Sequence, residues 1–151
     1  MIIANKADSR EPAPSRRPAR RIRVLCVDDN PLVADAIAMR LALVGGFEWL
    51  GHQNSADELS DVVERLHPDV ILMDLDMPGK DPFDAIESLS STQPDVRVLV
   101  LSGHVRTELL DRAVEAGAWG YLSKNDDAQS LVSAIRQVDA GEFVLGPAVS
   151  G

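Results

Sequence analysis

Cysteine is almost absent from this chain. The single one, Cys26, lies inside an apolar run and has no partner for an internal disulfide. Its expected role is that of a small buried apolar residue in a reducing cytoplasm. Long apolar runs are missing too. None approaches the roughly 20 residues of a bilayer-spanning helix, so no membrane span and no membrane partner are expected. The basic N-terminus is not followed by an apolar stretch of signal-peptide length, which argues against secretion. Positive charge is scarce beyond residue 23, where 8 basic residues face 22 acidic ones, a net of −14. Such a body is a poor direct partner for nucleic acid, because each phosphate contact needs a Lys or Arg.

The basic residues that do occur are concentrated at the start. Residues 1–23 carry seven against two acidic residues, a net of +5, with Pro12, Pro14 and Pro18 among Arg and Ser. With little there to bury, residues 1–21 read as a disordered basic leader. The rest has ordinary globular composition, within a total of 151 residues that are 45% hydrophobic and 26% charged. That length suits one domain. We place it at residues 22–145, with 146–151 as the start of a linker or a C-terminal tail.

Within that domain, apolar runs of strand length alternate with amphipathic runs of helix length. Strands are predicted at Ile22–Val27, Phe47–His52, Val70–Met73, Val96–Leu101 and Gly120–Ser123. Helices are predicted from Pro31 to Gly45-Gly46, over Asp57–His67, over Pro82–Ser91, over Thr107–Ala116, and from Asp126 or Asp127 to about Ala140. Pro at a helix start, Gly past its end and Asp as a cap supply the boundaries. Five strand–helix units of this kind predict a doubly wound, five-stranded parallel α/β sheet with helices on both faces.

The polar residues at the strand ends are the informative ones. The first strand ends in Asp28-Asp29, the third in Asp74, the fourth in Ser102 and the fifth in Lys124. A parallel sheet gathers these at one edge, where ligands of open α/β sheets bind. Three grouped carboxylates repel one another unless a cation neutralises them, and an all-oxygen site of this kind suits Mg²⁺. Lys124 adds a positive charge and Ser102 a hydroxyl. Together they could hold a phosphoryl group while an aspartate oxygen attacks it. Singly, each is unremarkable: an Asp after a strand is usually a turn or cap residue, and Asp28-Asp29 could simply cap the helix at Pro31. Only their shared register at the ends of different strands makes them a set.

Four stretches carry a family resemblance: Val27-Asp28-Asp29-Asn30, Ile71 through Gly79, Val100-Leu101-Ser102-Gly103, and Gly117 through Lys124. They resemble the receiver domain of bacterial two-component response regulators, with its flavodoxin-like (βα)5 fold. The segments Ala116–Lys124 and Ala134–Phe143 are similar to the NarL/FixJ class, whose members normally continue into a LuxR-type DNA-binding domain. The resemblance implies that Asp74 takes phosphate from a sensor histidine kinase. It implies Mg²⁺ held by Asp28, Asp29, Asp74 and the backbone carbonyl of Asp76. Ser102 and Lys124 would contact the phosphoryl oxygens, and Tyr121 would rotate inward as Ser102 moves. It further implies a homodimer on phosphorylation, formed by the first and last helices. DNA would be contacted only through an output domain not present in this chain.

Four residues depart from the family pattern or tune it. Pro82 stands where many relatives carry Gly, which stiffens the start of the third helix. Asn125 follows Lys124 where many carry Pro. Asp76 and His104, each two residues beyond a site residue, are expected to interact and to set the lifetime of the phosphorylated state. Three other readings compete with this one. One is a stand-alone receiver acting by protein contact or as a phosphorelay intermediate. Another is a degenerate docking module, which the intact site residues oppose. The last is a haloacid-dehalogenase-type phosphatase, which Asp74-Leu75-Asp76 resembles. There the DxD normally ends the first strand, whereas here it ends the third.

Overall fold

The computed structural model describes residues 20–150. Strand and helix alternate throughout: β1 (Ile22–Val27), α1 (Pro31–Val44), β2 (Phe47–Gln53), α2 (Leu59–Leu66), β3 (Val70–Met73), α3 (Pro82–Thr92), β4 (Arg97–Ser102), α4 (Thr107–Ala116), β5 (Gly120–Ser123), α5 (Ala128–Asp139), β6 (Val144–Leu145) and α6 (Pro147–Ser150). All strand pairings are parallel, in the order β2-β1-β3-β4-β5-β6. Sheet growth reverses direction at β1, which lies between β2 and β3. The crevice outside the carboxyl ends of β1 and β3 is therefore the expected ligand site.

Period-two alternation divides the core in two. Leu25, Val27, Ile71 and Met73 face the side covered by α2, α3 and α4. Val24, Cys26, Val70 and Leu72 face the side covered by α1 and α5. Strand segments buried on both faces must be apolar at every position, and this is why Val24–Val27 of β1 and all of β3 read as continuous apolar runs. Ile71 is fully buried; truncation to Ala at such a site costs about 2–5 kcal/mol. Cys26 is buried as expected, and burial pushes its thiol up to about 12, so it carries no thiolate near neutrality.

Three helix starts, those of α1, α3 and α5, follow cap chemistry. The side chain of Asn30, not the acidic pair, caps α1 by accepting the N–H of Leu32 at 3.0 Å. Asp81 caps α3 ahead of Pro82, accepting from Phe83 at 2.8 Å. Of the two candidates before α5, Asp127 is the cap, accepting from Ser130 at 2.8 Å. The second helix starts two residues later than predicted, at Leu59, and ends one residue earlier, at Leu66, where His67 takes a left-handed conformation, φ 53°, and turns the chain.

The sheet has six strands rather than the five expected. After α5 the chain turns at Gly141, φ 88°, and Val144-Leu145 pairs with Gly120-Tyr121. A Cβ at Gly120 would sit 2.8 Å from the Val144 carbonyl, so glycine permits this approach. Two residues are too few to show a strand period. The short helix Pro147–Ser150 follows.

Of the basic leader, residues 1–19 lie outside the described residues. Arg20 grips Asp139 with both terminal nitrogens, at 3.0 and 3.1 Å, and reaches Asp69 at 3.1 Å, tying the start of β1 to the end of α5. Among the described residues no helix is long and apolar enough to cross a membrane.

Candidate functional site

The strand-end residues meet as the parallel register requires. Asp28 and Asp74 are buried at the ends of β1 and β3, whereas Asp29 is exposed. Each of the three offers a carboxylate oxygen, and these oxygens lie within 4.8 Å of one another. Lys124, just past β5, places Nζ 2.8 Å from Asp28 Oδ2 and 3.4 Å from Asp74 Oδ2.

Three carboxylates against one ammonium leave a formal charge of −2. Burial raises the Asp74 pKa, and the charge of Asp28 adds to this; the Asp76 N–H and Lys124 oppose it. On Lys124 burial acts downward, but the hydrogen bond to Asp28 and the charges of Asp74 and Asp28 outweigh it. The net direction is up. Hard oxygen donors, close spacing and a residual charge of −2 fit a divalent oxygen-seeking cation.

Asp76 donates its backbone N–H to Asp74 Oδ1 at 3.2 Å, which orients the Asp74 carboxylate. Its side chain points outward, with Oδ2 3.5 Å from His104 Nε2; both side chains are largely exposed. The two residues expected to interact therefore touch, although an exposed pair of this kind contributes under about 1 kcal/mol.

Ser102, fully buried, turns its hydroxyl to its own loop. Oγ accepts the His104 N–H and donates to the His104 carbonyl, both at 3.0 Å. The hydroxyl of Tyr121 donates to the same carbonyl at 2.6 Å. Tyr121 is 1% exposed and already lies inward, and burial raises its pKa. One backbone carbonyl thus serves both Ser102 and Tyr121.

Two residues near the site were not marked as site residues by the sequence, although Asp126 was a candidate cap for the last helix. His52, at the end of β2, places Nε2 2.5 Å from the Asp28 carbonyl. Asp126, in the loop after Lys124, accepts from Ser123 N–H and from Ala148 N–H, each at 3.0 Å. Neither could be found from a motif, since each contact joins segments brought together only by folding.

A doubly wound parallel sheet with a buried aspartate at its switch point, flanked by an acidic pair and a lysine, defines the receiver class of signalling domain. The family model described as response regulator receiver domain matches residues 24–136, and the chain belongs to that family. It is 36% identical to "Response regulator GacA" of Pseudomonas aeruginosa over 129 residues, 85% of this chain and 60% of that protein. It is 34% identical to "Transcriptional regulatory protein DegU" of Brevibacillus brevis, over 86% of this chain and 55% of that one. The chain thus spans little more than half the length of these relatives. Among solved structures, a LuxR-family two-component response regulator from Aurantimonas sp. SI85-9A1 superimposes with a TM-score of 0.81 at 28% identity. That match covers 86% of this chain and 93% of that one. The receiver domain of a NarL from Mycobacterium tuberculosis gives 0.75 at 28% identity, covering 82% and 99%.

Proposed function

We propose that Asp74 is the phosphoryl acceptor of a cytoplasmic response regulator, served by a sensor histidine kinase and requiring Mg²⁺. The observation that carries this reading is the Asp28–Lys124–Asp74 arrangement, in which a lysine bridges two buried carboxylates at the switch point. An oxygen of Asp74 attacks the phosphorus of the kinase phosphohistidine. The P–O bond forms as the P–N bond breaks, and the electron pair returns to the imidazole, which takes a proton from water. Asp28, Asp29, Asp74 and the carbonyl of Asp76 would hold the cation. Once bound, it supplies neutralising charge where the carboxylates and phosphoryl oxygens meet.

Lys124 then exchanges part of its contact with Asp28 and Asp74 for a phosphoryl oxygen. Ser102 leaves the His104 carbonyl for another, and Tyr121 keeps that carbonyl alone. Ser102 and Tyr121 are in this way linked as the switch, and the protein responds by a population shift on the face near α4. Asp76 and His104 flank the approach of water to the phosphoryl group and tune its lifetime.

The output is transcriptional regulation through a NarL/FixJ-type DNA-binding domain outside this chain, with dimerisation on phosphorylation. The apolar face of α1 supports the second part. Leu32, Met39 and Leu43 are 75%, 66% and 77% exposed, and Ala36 is exposed beside them, whereas Leu131, Ile135 and Val138 of α5 are core. The four α1 residues form one stripe at 4-3-4 spacing. An antiparallel two-fold through the point between Ile37 and Ala38 sets Leu32 against Leu43 and Ala36 against Met39, a self-complementary pairing.

Incubation with acetyl phosphate and Mg²⁺ tests the acceptor. Wild type should gain one phosphoryl group by intact mass, and Asp74→Asn should gain none while keeping its fold. Stoichiometric labelling of Asp74→Asn would overturn the assignment.

A further inference from the structure

The acidic pair has a backbone as well as two carboxylates, and that backbone is held from β2. The N–H of Asp28 donates to the Gln53 carbonyl at 2.9 Å. Its carbonyl accepts from His52 Nε2 at 2.5 Å. A carbonyl only accepts, so Nε2 carries the hydrogen. The Asp28 carboxylate is engaged as well: Oδ1 takes the Asn30 N–H at 2.8 Å and Oδ2 takes Lys124. Every polar group of Asp28 is thus partnered.

We propose that His52 is a positioning residue for Mg²⁺: its ring pins the peptide plane joining Asp28 to Asp29, and so sets where the Asp29 carboxylate stands. This rests on the reading of the site given above. Asp29 is the exposed member of the trio and follows the pinned carbonyl directly. Rotation of that peptide would carry its Cα, and with it the carboxylate, out of register with Asp28 and Asp74. Mg²⁺ demands near-ideal octahedral geometry at about 2.0–2.1 Å, so a small displacement is felt strongly. Partners that orient a ligand, without themselves binding the metal, typically change affinity by about 10–100-fold. The contact joins the last turn of one strand to the chemistry at the end of its neighbour. The bulged pairing between Val24 and Leu25 sets the register that brings His52 opposite Cys26, two residues short of Asp28.

The test is Mg²⁺ titration by calorimetry, with acetyl-phosphate labelling as a function of Mg²⁺ as a second readout. His52→Leu should weaken Mg²⁺ binding about tenfold and raise the Mg²⁺ needed for half-maximal labelling equally, with the rate at saturating Mg²⁺ unchanged. His52→Gln, which keeps an N–H of similar reach, should recover most of the affinity. If Leu at this position prevents folding, His52→Asn, polar but too short to reach, carries the same expectation as Leu. Equal Mg²⁺ affinity in wild type and the folded donor-less variant would overturn the proposal and leave the acceptor assignment standing. So would a lower saturating rate with no change in the Mg²⁺ requirement. A wild-type protein that binds no Mg²⁺ would overturn both.

Discussion

Asp126 caps helix α6 from 22 residues away: its Oδ1 accepts the N–H of Ala148 at 3.0 Å while Oδ2 accepts the N–H of Ser123. Helix caps are usually supplied by the residue just before the helix. Here that residue is Gly146, which has no side chain to offer, and a Cβ on it would lie 2.3 Å from Asp126 Oδ2. The loop that carries Lys124 is thereby joined to the C-terminal segment. Asp126→Ala should lower the hydrogen-exchange protection of the Ala148 amide about fivefold, as loss of a cap of about 1 kcal/mol would. Gly146→Ala should do the same by displacing the carboxylate, whereas Asp127→Ala should affect α5 and leave Ala148 protected.

Asp74 gives the stability of the fold a defined pH dependence. Its pKa is raised in the folded state, chiefly by burial, so between the ordinary carboxylate range and that raised value the folded protein binds more protons than the unfolded chain. Stability contributed by the protonated form is lost as pH climbs through that window. Chemical denaturation of Asp74→Asn should therefore show a flatter pH profile than wild type across it. Lys124 acts at the other end: its raised pKa makes its contribution complete below its ordinary value and lost as pH rises through the folded one. Lys124→Met, which leaves two buried carboxylates without their cation, should cost about 2–4 kcal/mol at neutral pH, and part of that loss should return on adding Mg²⁺.

The α1 stripe separates assembly from folding. Leu43→Glu or Met39→Glu adds charge to a face the folded domain leaves in solvent, so denaturation midpoints should change by less than about 0.5 kcal/mol. Sedimentation in the presence of beryllofluoride should show the wild type as a dimer and either variant as a monomer.

The contact between His104 and Asp76 predicts a kinetic effect without a structural one. Asp76→Ala and His104→Ala should change the rate of autodephosphorylation in the same direction, and the double variant should change it no more than the larger single effect. Decay of the phosphorylated species, followed by intact mass, measures this. Additive changes would mean that the two side chains act independently.

Much of the fold and site is legible in the chain itself. Continuous apolar runs such as Val70–Met73 announce strands buried on both faces, and Asp28, Asp74, Ser102 and Lys124 mark their carboxyl ends, because side-chain period and strand termini are local properties. Local signals cannot register contacts between distant segments. The sixth strand depends on Gly120 admitting the Val144 carbonyl, the exposure of Leu32 and Met39 depends on which side of α1 the sheet covers, and Tyr121 and Ser102 share the His104 carbonyl only because β4 and β5 are neighbours. The sequence by itself determined which residues could do chemistry. Tertiary structure alone decided which neighbours hold them in place, His52 on Asp28 and Asp126 on Ala148 among them, because those hydrogen bonds join groups that meet only when the sheet has formed.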